Sequence, residues 1–76
     1  MRLINNTKYE YLRFTRILKK RGILLFQNDS IPLFLFEVHT HLEGIQFFMV
    51  YKNNITEIDN LTEAYVLADN LNASLQ

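Results

Sequence analysis

Glu37, His39 and His41 alternate along the stretch Glu37-Val38-His39-Thr40-His41, the one segment of this chain where metal-ligating side chains stand at a shared spacing. Residues two apart on a strand share a face, so the three would project together. Two imidazoles and a carboxylate can fill three of the four positions around zinc. No fourth ligand is evident, and a chain of 76 residues buries only about 60% of its unfolded surface, too little to wall off a reactive site. A solvated polar strand end is therefore the expectation, with no metal assigned. Cysteine is absent, which removes disulfides and thiolate zinc sites. No Ser-His-Asp, Cys-His or phosphate-loop pattern occurs, and only two glycines are present. The eight acids include no close pair inside an apolar element, as general acid–base work would need. No enzymatic activity, catalytic residue or cofactor is expected.

The elements that carry these residues follow from caps and periodicity. Thr7-Lys8-Tyr9-Glu10 reads as a capping box. With the acid in the first turn, bases toward the end and Gly22 as a stop, it predicts a helix over 8–21. Tyr11, Phe14 and Leu18, with Thr15 beside them, fall on one core-facing stripe. Ile23 to Gln27 reads as a strand and Asn28-Asp29-Ser30 as a turn. A longer strand runs from Pro32 to about Leu42, and a third from Ile45 to Lys52, joined by a two-residue Glu43-Gly44 connection. That connection pairs Leu42 with Ile45, Thr40 with Phe47, Val38 with Met49 and Phe36 with Tyr51. The stretch from Asn53 to Asp59 reads as a loop. Asn60 or Asp59 can cap a second helix over about 60–73, with Leu61, Ala64, Ala68, Leu71 and Leu75 at helical spacing and Tyr65 and Leu67 beside them. Its last residues are expected to fray. Five asparagines (Asn5, Asn28, Asn54, Asn60 and Asn72) fit the glycosylation pattern and are read as turn and cap residues.

The resulting expectation is a single α+β domain over 1–76. It has α-β-β-β-α order, a three-stranded antiparallel meander and both helices on one face, in two layers. This order resembles the double-stranded RNA-binding domain in topology and size. That family grips phosphates with a basic start to its second helix. Here the matching stretch, Thr56-Glu57-Ile58-Asp59-Asn60-Leu61-Thr62-Glu63, is acidic, so the resemblance argues against that activity.

Charge is the strongest signal for a partner. Seven of the eight basic residues lie in the first 21 positions, against Glu10 alone, leaving +6 there and −6 in the remainder. Such asymmetry marks a surface that meets a charged partner. Arg13, Arg16, Lys19, Lys20 and Arg21 form or flank a basic stripe on the first helix. Another protein with an acidic surface fits this stripe better than nucleic acid, because the acidic remainder would repel a duplex and no aromatic platform interrupts the stripe; a solvated face partly neutralised by acids of the second helix or the loops is the alternative to both. The two-layer arrangement also leaves Leu25, Leu33, Leu35, Phe48 and Val50 together on an uncovered sheet face. Either a helix or the Asn53–Asp59 loop folds over such a patch, or it makes a second contact, with a partner or with another copy as a homodimer. Residues 1–6 carry no apolar run of signal-peptide length and no run spans a bilayer, so a cytoplasmic protein without membrane contact is expected. Small size, Asn- and Ile-rich composition and the charge split suit an inhibitory protein-binding module. A phage or mobile-element protein that blocks a host defence complex, such as an anti-CRISPR, is one form; some anti-CRISPR proteins share a similar core. A nucleic-acid-binding accessory protein and a homodimeric structural protein are the alternatives.

Overall fold

The computed structural model describes residues 2–5, 7–28 and 32–74, with side chains through Leu71. The elements run β1 (Arg2–Leu3), α1 (Lys8–Arg21), β2 (Ile23–Asn28), β3 (Leu33–Thr40), β4 (Gly44–Tyr51), β5 (Asn54–Ile58) and α2 (Leu61–Ser74). All five strands join one antiparallel sheet in the order β1-β5-β4-β3-β2. The fold is α+β, and the expected meander forms its centre. The stretch expected as a loop after β4 is instead a fourth meander strand, and the N-terminal residues add a fifth. The chain thus starts at one edge, crosses a sheet face as α1, and returns strand by strand to β5 beside β1.

Local chemistry fixes α1 at both ends. The Thr7 side chain accepts from the Glu10 N–H at 3.1 Å, which satisfies one of the donors a helix start leaves open. Gly22 ends the helix with its N–H donating to the Leu18 carbonyl at 2.7 Å. Its backbone is extended, with φ −86°, so left-handed freedom is not why glycine stands here. A Cβ would lie 2.6 Å from the Leu18 carbonyl oxygen and 3.2 Å from the Phe36 ring. Glycine lets the chain turn from helix to strand against the sheet surface.

The two helices lie on opposite faces of the sheet. Leu18, Phe36, Val50 and Ile55 form one buried cluster with Tyr11 and Phe14 of α1. Leu33, Leu35, Met49 and Ile58 form another with Ala64 and Ala68 of α2. Alternate residues of β3 and β4 thus enter different cores, as strand geometry requires. The expected two layers with both helices on one face are replaced by three layers, helix–sheet–helix. The reason lies in the strands. Leu33 to Phe36 and Phe47 to Val50 are unbroken apolar runs, and a strand apolar on both sides needs both sides covered. Ala64 and Ala68 let α2 approach closely, and Tyr65 closes the far end with its ring edge-on to Phe26 at 5.9 Å. The departure, with the added β1 and β5, also ends the likeness to the double-stranded RNA-binding domain, which rested on α-β-β-β-α order in two layers.

Register differs from the expectation by three residues. Thr40 pairs with Gly44 and Phe36 with Phe48, so His41-Leu42-Glu43 is a three-residue connection and β3 ends at Thr40. Gly44 follows it at φ 73°, the left-handed residue that closes such loops. The Thr40 hydroxyl holds the turn by accepting from the Glu43 N–H at 3.0 Å. An odd slip exchanges the faces of one strand relative to its neighbour. Leu42, expected in an apolar row, is 98% exposed at the tip. In β2 a bulge between Leu24 and Phe26 brings both Leu25 and Phe26 against the α2 cluster. Asp29 and Ser30 of the expected turn, and Leu75 with the expected fraying end, lie outside the described residues.

The N-terminal segment is tied down by a buried side chain. Asn5 is 4% exposed. Its amide donates to the Asn53 carbonyl at 2.8 Å, and its carbonyl accepts from the Ile55 N–H at 2.7 Å. Beside it the Ile4 N–H donates to the Ile55 carbonyl at 2.8 Å. At Asn5 the expected turn or cap role gives way to a bridge between distant backbone groups. The expected role holds at Asn60, whose side chain accepts from the Glu63 N–H at 2.8 Å and caps α2.

Candidate interaction surface

At about 100° per residue, Tyr9 stands opposite Leu18 on α1. The side away from the sheet is therefore a ridge of Tyr9, Arg13, Arg16 and Lys20, with Leu12 and Lys19 on one flank and Ile17 and Arg21 on the other. Arg13, Arg16, Lys19, Lys20 and Arg21 are all exposed, as the stripe predicted. Apolar side chains stand among them: Tyr9 is 73% exposed, Leu12 52% and Ile17 41%. The sequence reading passed over these three, although their offset from the Tyr11–Phe14–Leu18 stripe was visible in their numbering. Thr15 needs no outside partner, because its hydroxyl donates to the Tyr11 carbonyl at 2.9 Å.

Among the described residues, none of these five cations forms an ion pair. The arrangement of layers explains this. The α2 helix carries Glu63 and Asp69 and no base, but it lies beyond the sheet from α1. Among the described residues, Arg2 alone of the N-terminal bases pairs with an acid, Glu57 at 2.7 Å across the β1–β5 pair. Glu57 also accepts from the Gln46 side chain at 2.9 Å, and Gln46 donates in addition to Glu43. The α1 cations and the two α2 acids therefore face opposite ways, while Glu57 stands on the α1 side of the sheet, paired with Phe48.

The second expected contact does not exist as a surface. Leu33, Leu35 and Val50 are 1%, 2% and 3% exposed, and Leu25 and Phe48 are half-buried. The five do not even share a face: Leu25, Leu33 and Leu35 lie under α2, Phe48 and Val50 under α1. What reads as an open sheet face is two halves of two cores. A homodimer built on that face has no surface to use.

The Glu37, His39 and His41 set is also separated. Glu37 and His39 share a face and are joined, Oε2 to Nε2, at 2.8 Å. His41 has left the strand and is exposed in the turn. Among the described residues, no three His, Asp or Glu side chains are grouped to hold a metal ion.

Between α1 and the sheet lies a partly open cleft of about 250 Å³. Phe14, Ile17 and Leu18 form its helical wall, and Val38, Phe48 and Ile55 form its floor. Nothing in the sequence pattern pointed to it, because it depends on how far α1 covers the sheet.

Fold and surface together describe a three-layer α+β protein with one exposed cationic and apolar helix. Among the described residues no helix is long and apolar enough to cross a membrane. No family model, no curated protein and no solved structure matches this chain.

Proposed function

We propose that this chain is a small non-enzymatic protein-binding module that lays the outer ridge of α1 against an acidic surface of a partner protein. One observation carries the reading: exposed Arg13, Arg16, Lys19, Lys20 and Arg21, without ion pairs among the described residues, interleave with exposed Tyr9, Leu12 and Ile17. Cations alone suit any polyanion. A mixed ridge suits a protein, where aromatic and aliphatic anchors sit inside a rim of charge. Phosphate backbone offers nothing for Leu12 and Ile17 to pack against. Occupying the partner's surface is the action, so the module works as an inhibitor in the cytoplasm. A phage or mobile-element protein directed at a host defence complex, as anti-CRISPR proteins are, fits the size and charge split.

The test begins with affinity capture from the native host and continues with the purified captured protein. Replacing Arg13, Arg16 and Lys20 together by Glu should weaken binding by about a hundredfold or more, since like charges then face each other. Leu12→Ala with Ile17→Ala should weaken it by roughly tenfold at any salt concentration, through lost packing. Nucleic acid as the retained species, released along a steep salt gradient and indifferent to the Leu12 and Ile17 changes, would overturn the proposal.

A further inference from the structure

The cleft between α1 and the sheet has a composition that selects a ligand class. Its walls are hydrocarbon, from Phe14, Ile17 and Leu18 on one side and Val38, Phe48 and Ile55 on the other. Its polar lining is narrow, and most of it is already used. Thr40 accepts from the Glu43 N–H at 3.0 Å and donates to the Gly44 carbonyl at 3.4 Å. The Gln46 amide donates to Glu43 and Glu57, and the His39 ring is joined to Glu37. Arg21 remains. It lines the cleft, is exposed and so lies at its rim, and has no ion-pair partner among the described residues. A neutral polar ligand would find its hydrogen-bonding groups unmatched inside, at the desolvation penalty of each. A cation would meet the guanidinium.

We propose that this cleft binds a small apolar carboxylate, with the hydrocarbon part between α1 and the sheet and the carboxylate on Arg21. Size sets the class further. An apolar cavity of about 150 Å³ is enough for benzene, so about 250 Å³ admits a straight or aryl chain of roughly eight carbons. It falls below the roughly 300–1,000 Å³ typical of drug-sized ligands. The planar guanidinium can bond a carboxylate through two parallel N–H donors, which fixes its orientation as well as its charge. Ile17 and Arg21 stand where this cleft meets the ridge, so ligand binding is read on the free chain, with no partner on the ridge.

The experiment is an amide chemical-shift titration of the intact chain with octanoate below its micelle-forming concentration, with octan-1-ol and octylammonium as charge controls. Octanoate should give saturable shifts centred on Ile17, Val38 and Phe48. Octanol should bind at least about tenfold more weakly and octylammonium more weakly still, because the charged hydrogen bonds are lost. Arg21→Gln should bring octanoate down to the affinity of octanol and leave octanol unchanged. Arg16→Gln removes the same charge from the outer ridge and should leave octanoate affinity within about twofold, since that exposed charge is screened by solvent. The proposal is overturned by an absence of saturable shifts, by shifts centred on Tyr9, Leu12 and Arg16 and not on Val38 and Phe48, or by Arg16→Gln weakening octanoate as much as Arg21→Gln does.

Discussion

Single residues hold this fold together in ways their type does not advertise. Asn5 is the clearest. It uses both ends of its amide inside the protein, on Asn53 and Ile55. Asn5→Ala would leave a backbone donor and a backbone acceptor without partners near the β4–β5 turn, at about 2–4 kcal/mol together. Urea denaturation should show that loss, whereas Asn54→Ala, at an exposed position, should change stability by less than about 0.5 kcal/mol. The two glycines provide a second comparison. At Gly22 a Cβ meets the Leu18 carbonyl oxygen at 2.6 Å, so Gly22→Ala must displace helix or strand and should cost about 1–3 kcal/mol. At Gly44 nothing lies within 4 Å of a Cβ, and the only obstacle is φ 73°. Gly44→Ala should therefore cost about 1 kcal/mol, and Gly44→Asn less, because Asn tolerates the left-handed region. Thermal melts of the three variants separate crowding from backbone strain. If Gly44→Asn is as harmful as Gly22→Ala, the assignment of cause is wrong.

Among the elements, β4 shows how two cores share one strand. Phe47 pairs with Glu37 on the α2 side, and Phe48 pairs with Phe36 on the α1 side. Both are half-buried, each in a different cluster. Alanine at either position should therefore destabilise by a similar amount, roughly 2–3 kcal/mol, below the ~3–5 kcal/mol of a fully buried phenylalanine. A two-layer arrangement would have spared Phe48. Chemical denaturation of the two variants decides between the arrangements, and a Phe48→Ala protein as stable as the parent would count against the packing of α1 on that face. The changes should also be nearly additive, because the side chains lie on opposite sides of the sheet and share no cluster.

At the scale of the whole molecule, a chain of net charge zero is strongly polar in space. The α1 cations and the α2 acids are separated by the sheet and its side-chain layers, beyond the screening length of about 8 Å at physiological salt. The cations therefore do little for the fold. Reversing Arg13, Arg16 and Lys20 to Glu should leave the circular dichroism spectrum unchanged and lower stability by no more than about 2 kcal/mol, mostly through an acid placed in the last turn of α1. Loss of partner binding together with an intact fold is then a statement about the surface. Unfolding of the triple variant would instead mean that the stripe is structural.

How much was legible in the sequence follows from the range over which each feature is decided. Helix α1 from Lys8 to Arg21, its Thr7 cap, its Tyr11–Phe14–Leu18 stripe, its exposed bases and the Asn60 cap of α2 were all determined by residues within a few positions of one another. Hydrogen-bonded turns and helical spacing need no distant partner. The α+β class and the β2–β4 meander were legible for the same reason. The remainder was decided in three dimensions. One extra residue in the His41–Glu43 turn moves every pair between β3 and β4, and no local signal ranks a two-residue loop ending at Gly44 against a three-residue loop preceding it. The pair Arg2–Leu3 becomes a strand because an open sheet edge offers it hydrogen bonds, and Asn54–Ile58, with β-branched Ile55, Thr56 and Ile58, becomes one because the edge of β4 lets Ile55 and Ile58 be buried in opposite cores. The sheet has two apolar faces, so each helix could cover either one. Only packing both faces at once placed α1 and α2 on opposite sides, buried the expected patch, isolated the basic ridge and opened the cleft beside Arg21.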